Sequence, residues 1–171
     1  MFKIRKAEMS DAEALCHFIK ELDSQSEYIL YDVGERRIDI ESTKKYLDNS
    51  NNTPGSVVLI AENEISKIIG FACGEANTKN RSSHVTKANL GVLKSHRGTP
   101  VARQLLGELI QYLKNKKIVR IEASVIKNNI ICLNLCKKFG FQIEGIKKLS
   151  IKIGGQFLDE YVIALLFNPC Q

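Results

Sequence analysis

The chain has 171 residues, with 25 lysines and arginines against 19 acidic residues, a net charge of +6, and 44% hydrophobic and 26% charged positions. That is the size of one domain with a substantial core, and no apolar run approaches the roughly 20 residues needed to span a bilayer. The five cysteines, Cys16, Cys73, Cys132, Cys136 and Cys170, are odd in number and lack a C-x-x-C pair, which argues against a disulfide framework and for reduced thiols.

In chain order, Phe2 to Arg5 alternates as a first strand, and the N-terminus lacks the apolar region of a signal peptide, so the expected compartment is the cytoplasm. Ser10-Asp11-Ala12-Glu13 reads as a capping box, followed by a helix with Ala14, Leu15, Phe18, Ile19 and Leu22 on one face. Residues 24–38 form a loop that sets Tyr28 and Tyr31 among acids and arginines. It is either a contact surface or a loop tied down by aromatic packing. A second helix over about 39–50 ends at the breaker Asn49 to Gly55.

Ser56 to Glu62 and Lys67 to Glu75 are two strands joined by the hairpin Asn63-Glu64-Ile65-Ser66. His84 to Leu93 is the next strand. Thr99 is the expected N-cap and Pro100 the first residue of a helix over about 100–116, whose apolar face is Val101, Leu105, Leu106, Leu109, Ile110 and Leu113. Lys114, Lys116, Lys117 and Arg120 cluster at its end. They form a basic patch or a solvated cap that suits the negative end of the helix dipole. No aromatic–basic interleaving suggests a base-stacking platform, so neither nucleic acid nor a membrane is expected as partner. A strand Val119–Ile126, a helix over about 129–139, a strand from Gln142, and a last hairpin of Ser150–Ile153 and Phe157–Phe167 about Gly154-Gly155 complete the chain. Cys132 and Cys136 share a helix face, yet no His or further Cys stands at ligand spacing, so no metal is expected.

The order β-α-α-β-β-β-α-β-α-β-β implies an α/β (α+β) fold: one mixed, mostly antiparallel twisted sheet of about seven strands with helices on both faces, in a single domain over 1–171. A strand that feeds a basic turn and then a helix N-terminus is a site for phosphates, because unpaired amides and the positive dipole end meet there.

Arg97-Gly98-x-x-Val101-Ala102 ahead of a Leu-rich helix resembles the R/Q-x-x-G-x-G/A pyrophosphate loop of the GNAT superfamily of N-acetyltransferases. Asn129-x-x-Cys132-x-x-Leu135-Cys136-x-Lys138-x-Gly140-Phe141 resembles that superfamily's N-x-x-A-x-x-L-Y-x-K-x-G-F segment, in the right order and at the expected separation. Arg81-x-x-His84, Glu27-Tyr28, Gly34-Glu35-Arg36 and Asp159-Glu160-Tyr161 are similar to features of the branch that includes ribosomal-protein-alanine and spermidine acetyltransferases.

The resemblance implies acetyl-CoA as co-substrate and an amine as acceptor. The amides of Gly98, Thr99, Val101, Ala102 and Arg103, assisted by Arg97, would hold the pyrophosphate. The backbone of Leu90, Gly91 and Val92 would pair with the pantetheine arm and polarise the thioester, and Asn129 would contact the cofactor. Pro100 departs from the pattern: it replaces a loop glycine and brings no N–H, so it is either a lost phosphate contact or a good helix start. Cys136 replaces the tyrosine that serves as general acid in many relatives, and is either a surrogate acid or a small packing residue. Glu75, His84 and Glu62 are candidate bases, and Tyr28, Tyr31, Glu35 and Tyr161 candidate acceptor contacts.

The expected function is direct acetyl transfer from acetyl-CoA to a primary amine: a small molecule, a polyamine or a protein N-terminus. A homodimer is left open. The rival reading is a non-catalytic acyl-CoA-binding module whose Pro100 and Cys136 record lost activity.

Overall fold

The computed structural model describes residues 1–25, 28 and 31–168, so that Glu27 and Cys170, singled out above, lie outside the described residues. Strand β1 (Phe2–Lys6) precedes helices α1 (Ala12–Gln25) and α2 (Ile40–Asn52). Strands β2 (Val57–Asn63), β3 (Ile68–Ala76) and β4 (Val85–Val92) lead to helix α3 (Val101–Asn115). Strand β5 (Arg120–Ile126), helix α4 (Ile130–Lys138) and the strands β6 (Gln142–Ile153) and β7 (Gln156–Leu166) follow. The strands form one sheet in the order β1-β2-β3-β4-β5-β7-β6, and β4–β5 is the parallel pair among antiparallel ones.

Strand alternation divides the core between the two faces. From β2, Val57, Leu59 and Ala61 pack with Val101, Leu105, Leu109 and Leu113 of α3 and Leu133 of α4. Val58 and Ile60 point the other way, to Leu15, Phe18 and Leu22 of α1 and Leu47 of α2. Helices α3 and α4 therefore cover one face, and α1 and α2 the other, as the element order implied.

Three local expectations are corrected. The box at the first helix joins Glu8 and Asp11, not Ser10 and Glu13: the Glu8 amide donates to Asp11 Oδ2 at 2.7 Å, while Arg5 grips the same carboxylate with Nη1 and Nη2, both at 2.7 Å. Ala14 is exposed, and Ala12 and Cys16 are buried in its stead. The runs from Gln142 and from Ser150 are one strand, β6, with irregular register against β7 between Lys147 and Ile151. Its turn to β7 uses Gly154 (φ 55°) and Gly155 (φ 83°), two consecutive left-handed residues of the kind a tight hairpin needs.

Among the described residues, no helix is long and apolar enough to cross a membrane.

Candidate active site at the β4–β5 wedge

Strands β4 and β5 pair only through Val85–Lys87 and Arg120–Glu122. Beyond that point β4 continues along β3 as far as Val92, and β5 along β7 as far as Ile126. The two parallel strands part, and the stretch from Ala88 to Val92 has no strand partner on its β5 side. Backbone groups opened in mid-sheet require partners, so the wedge is a ready receiver for an extended polar chain. Leu90 and Val92 face the α3/α4 layer. Gly91 faces α1, where a β-carbon would stand 2.5 Å from Leu22 Cδ2.

The wedge opens onto the turn that starts α3. A short 3-10 turn, Lys94–His96, leads to Arg97, to Gly98 in the left-handed region (φ 77°) and to Pro100 (φ −61°, ψ −11°). The Pro100 carbonyl accepts the first helical bond, from the Gln104 amide at 2.9 Å. Among the described residues, the amides of Gly98, Thr99, Val101, Ala102 and Arg103 form no hydrogen bond. Five free N–H groups at the positive end of a fifteen-residue helix make an anion cradle. Thr99 is not the side-chain cap expected of it: its hydroxyl donates back to the His96 carbonyl at 2.6 Å, and Pro100 takes the cap position. Arg97 folds inward, with Nε donating to the Val92 carbonyl (3.2 Å) and Nη2 to the Gln25 carbonyl (3.3 Å). Gln25 in turn accepts from the Lys94 amide at 2.9 Å. The end of β4, the turn and the last residue of α1 are thus one bonded unit.

The other candidates are scattered. Asn129 caps α4, accepting from the Cys132 amide at 3.2 Å. Cys136 is 7% exposed in the core beneath α4, and its hydrogen bond to the Cys132 sulfur, with burial, pushes its thiol well above the ordinary range. Glu75 pairs across the sheet with Lys87, five residues before Val92, which is about 17 Å along the strand. Its carboxylate accepts from the Tyr46 hydroxyl at 3.0 Å. Nearby, burial pushes the Cys73 thiol up to about 11. His84 is further away, exposed, ahead of β4, and its carbonyl accepts from the amides of Val119 and Arg120. Glu62 is gripped by Arg5 at the β1–β2 edge. None of the three candidate bases lies at the open end of the wedge.

The expected acceptor contacts are split between the faces. Tyr161 packs on the α3/α4 side and borders an open recess of about 600 Å³ between α4 and the β6–β7 pair, with Lys127, Asn134, Lys137 and Ile143. The Glu35 carboxylate accepts from the Asp32 amide at 2.9 Å, closing its own turn. Tyr28 is partly exposed, and the Tyr31 ring lies under the Arg36 guanidinium at 4.2 Å. Arg36 reaches Asp23 near the end of α1, with Nη2 3.3 Å from Oδ1. Asp23 carried no signal in the sequence beyond its place on the polar edge of a helix, and only the return of the loop onto α1 reveals it.

Residues 4–162 match a family model described as an acetyltransferase (GNAT) domain. The chain is 27% identical over 162 residues to the L-amino acid N-acetyltransferase AaaT of Escherichia coli (strain K12), covering 94% of this chain and 95% of that protein. It is similar in structure to a GNAT-family acetyltransferase from Streptococcus pneumoniae (TM-score 0.94, 24% identity, 98% of this chain and 100% of that one). A ribosomal-protein-alanine N-acetyltransferase from Brucella melitensis also superimposes (TM-score 0.84, 25% identity, 96% and 99%).

Proposed function

The chain belongs to the GNAT family of acetyltransferases and is an N-acetyltransferase using acetyl-CoA, and we propose that it works as one domain, transferring acetyl directly to a primary amine at the β4–β5 wedge. The observation that carries this reading is the run of unpaired amides at Gly98, Thr99, Val101, Ala102 and Arg103, beside a strand end whose own backbone is open.

These amides and the helix dipole suit a pyrophosphate, and Arg97 fixes their position through Val92 and Gln25. On β4 the backbone groups of Leu90 and the Val92 N–H face away from β3, while Gly91 is bonded to Phe71. These outward groups suit the amide-bearing arm of the co-substrate, with a strand N–H there supporting the charge that develops on the thioester oxygen. In the reaction the amine nitrogen forms a bond to the acetyl carbon and the C–S bond breaks. Of the two protons the ammonium gives up, one leaves before attack and the other ends on the CoA thiolate.

No acyl-enzyme is part of this scheme. Cys136 is buried in the core beneath α4 with Leu133 and Phe141, so we assign it to packing rather than to acid catalysis. The basic cluster is given no nucleic-acid role, because Arg120 is committed to Glu122 and Glu144 and Lys116 lies over the Tyr112 ring.

The relatives' names point to different acceptors, an L-amino acid and a ribosomal protein's alanine, so the family alone leaves the amine open. Thiol release from acetyl-CoA, followed with and without a panel of primary amines, tests the reading. Amine-dependent release supports it, and binding of acetyl-CoA without such release supports the non-catalytic module.

A further inference from the structure

Helix α4 has two flanks, and the core uses one of them. Cys132, Leu135 and the C-cap residue Phe139 recur at helical spacing and pack on the core shared with α3. Phe139 Cε1 stands 3.5 Å from where a β-carbon on Gly107 of α3 would be. Ile130, Asn134 and Lys137 recur on the other flank and line the recess of about 600 Å³, with Ile143 of β6 and Tyr161 of β7 across from them. The strand order β4-β5-β7-β6 puts the wedge on one side of β5 and this recess on the other.

The charge of the lining has one sign. Lys127 and Lys137 border the recess, and no carboxylate does. Asp159 feels the Lys127 charge, but its oxygens are taken by Lys148 Nζ at 2.9 Å and the Leu149 amide at 3.0 Å. Glu160, next to Tyr161 on the strand, points to the opposite sheet face and bonds Ser150. Among the described residues, neither lysine of the recess forms an ion pair, and the Asn134 carboxamide and the Tyr161 hydroxyl form no hydrogen bond. Beside these polar groups the surface is apolar, with Ile130 57% and Ile143 43% exposed.

Exposed aliphatic side chains in a concave surface, with a few polar groups around them, mark a binding site. The volume is that of a small-molecule site. A ligand that suits the lining has an apolar body for the isoleucines and an anionic head for the lysines. A cation would meet two like charges, and a polyphosphate would leave the isoleucines in water. Because α4 begins at Ile130, the positive end of its dipole adds to the lysines.

We propose that this recess is a second ligand site, separate from the wedge, for a small amphipathic carboxylate. Its apolar body rests on Ile130 and Ile143, its carboxylate is received by Lys127 and Lys137, and Asn134 and Tyr161 supply hydrogen bonds. The site goes beyond the acetyl-transfer reading and does not depend on it.

The test uses three probes that share one aromatic body: naphthoate, naphthylmethanol and the naphthylmethyl-trimethylammonium cation, which cannot be acylated. Each is titrated into the full chain and followed by amide chemical shifts. Naphthoate should shift residues 127–137, 143 and 161, and bind about tenfold more tightly than the alcohol, the effect of two exposed charge contacts. The cation should bind more weakly than either. Saturating acetyl-CoA should leave the naphthoate Kd unchanged. Lys127→Gln combined with Lys137→Gln should bring the ratio of naphthoate to alcohol towards one, which a merely structural role of the lysines would not do. The comparison of probes on the wild type stands even if the variant fails to fold. No response at the recess to millimolar naphthoate, equal binding of the cation, displacement by acetyl-CoA, or an unchanged ratio in the variant overturns the site. A second copy covering the recess would give shifts there on dilution and none with naphthoate, which overturns it as well.

Discussion

Leu22 of α1 and Gly91 of β4 are packed so closely that a β-carbon on Gly91 would stand 2.5 Å from Leu22 Cδ2, and 2.8 Å from Phe71 Cε1. The absent side chain lets α1 settle onto the strand whose far edge opens into the wedge. Gly91→Ala should therefore cost about 1–3 kcal/mol through overpacking. At roughly 2–4 °C per kcal/mol for a chain of this size, that is a readable fall in Tm. Adding Leu22→Ala to this variant should recover part of the loss, whereas Leu22→Ala alone should destabilise. An unaltered Tm in Gly91→Ala would show that α1 is not seated on this glycine.

Pro100 sits amid the unpaired amides and contributes none. Because its φ of −61° and ψ of −11° suit any L-residue, Pro100→Ala should add an N–H without strain. If that amide meets the pyrophosphate, acetyl-CoA should bind about tenfold tighter, the lower end for a charge-assisted hydrogen bond. Titration calorimetry decides it. Equal or weaker binding would make Pro100 purely a helix starter.

For Cys136 the expectation is structural. Cys136→Ala should lower Tm through a small cavity in the layer that holds Leu133 and Phe141, and leave kcat unchanged. A loss of kcat with unchanged Tm and unchanged acetyl-CoA affinity would restore the thiol as proton donor.

Asp11 ties β1 to α1, and Arg5 holds its carboxyl below the usual range. A depressed carboxyl contributes stability that is fully present above the unfolded value of about 3.9 and is lost as pH falls through the folded value. Asp11→Asn should thus cost about 2 kcal/mol at neutral pH, with the cap and the charged bonds both weakened. The gap in Tm between wild type and variant should close as pH drops below about 4. A gap that stays constant from pH 7 to pH 2.5 would assign the loss to something other than this charge.

The order of strands and helices was legible because the elements carry local patterns: Val101, Leu105, Leu109 and Leu113 every four residues in α3, and in β2 the unbroken apolar run from Val57 to Ala61, buried on both faces. The loop at Arg97 was legible for the same reason, since its glycine, proline and following helix are contiguous in the chain. What escaped depends on partners distant in sequence. Glu8 and Asp11 make the box expected of Ser10 and Glu13, with Arg5 holding the Asp11 carboxylate, and Thr99 turns its hydroxyl to His96 in place of the helix amides. The positions of Glu75 and His84 follow from pairing: the register of β3 on β4 puts Glu75 opposite Lys87, where β4 and β5 part, and His84 lies just ahead of β4. Asn129 is where the motif places it, yet its side-chain oxygen serves a helix cap. Asp23 and Arg36 meet only because the loop folds back on α1, which no local pattern encodes.

The most direct measurement is hydrogen exchange with and without acetyl-CoA. The free amides of Gly98, Thr99, Val101, Ala102 and Arg103 exchange fast when nothing holds them, and so should those of Leu90 and Val92, which face away from β3. Added acetyl-CoA should slow exchange across the segment 88–103 and leave the β6–β7 hairpin tip about Gly154 and Gly155 unchanged. Unchanged exchange over 88–103 at millimolar acetyl-CoA, or protection confined to the recess lined by Lys127, Lys137 and Tyr161, would contradict the assignment of the wedge.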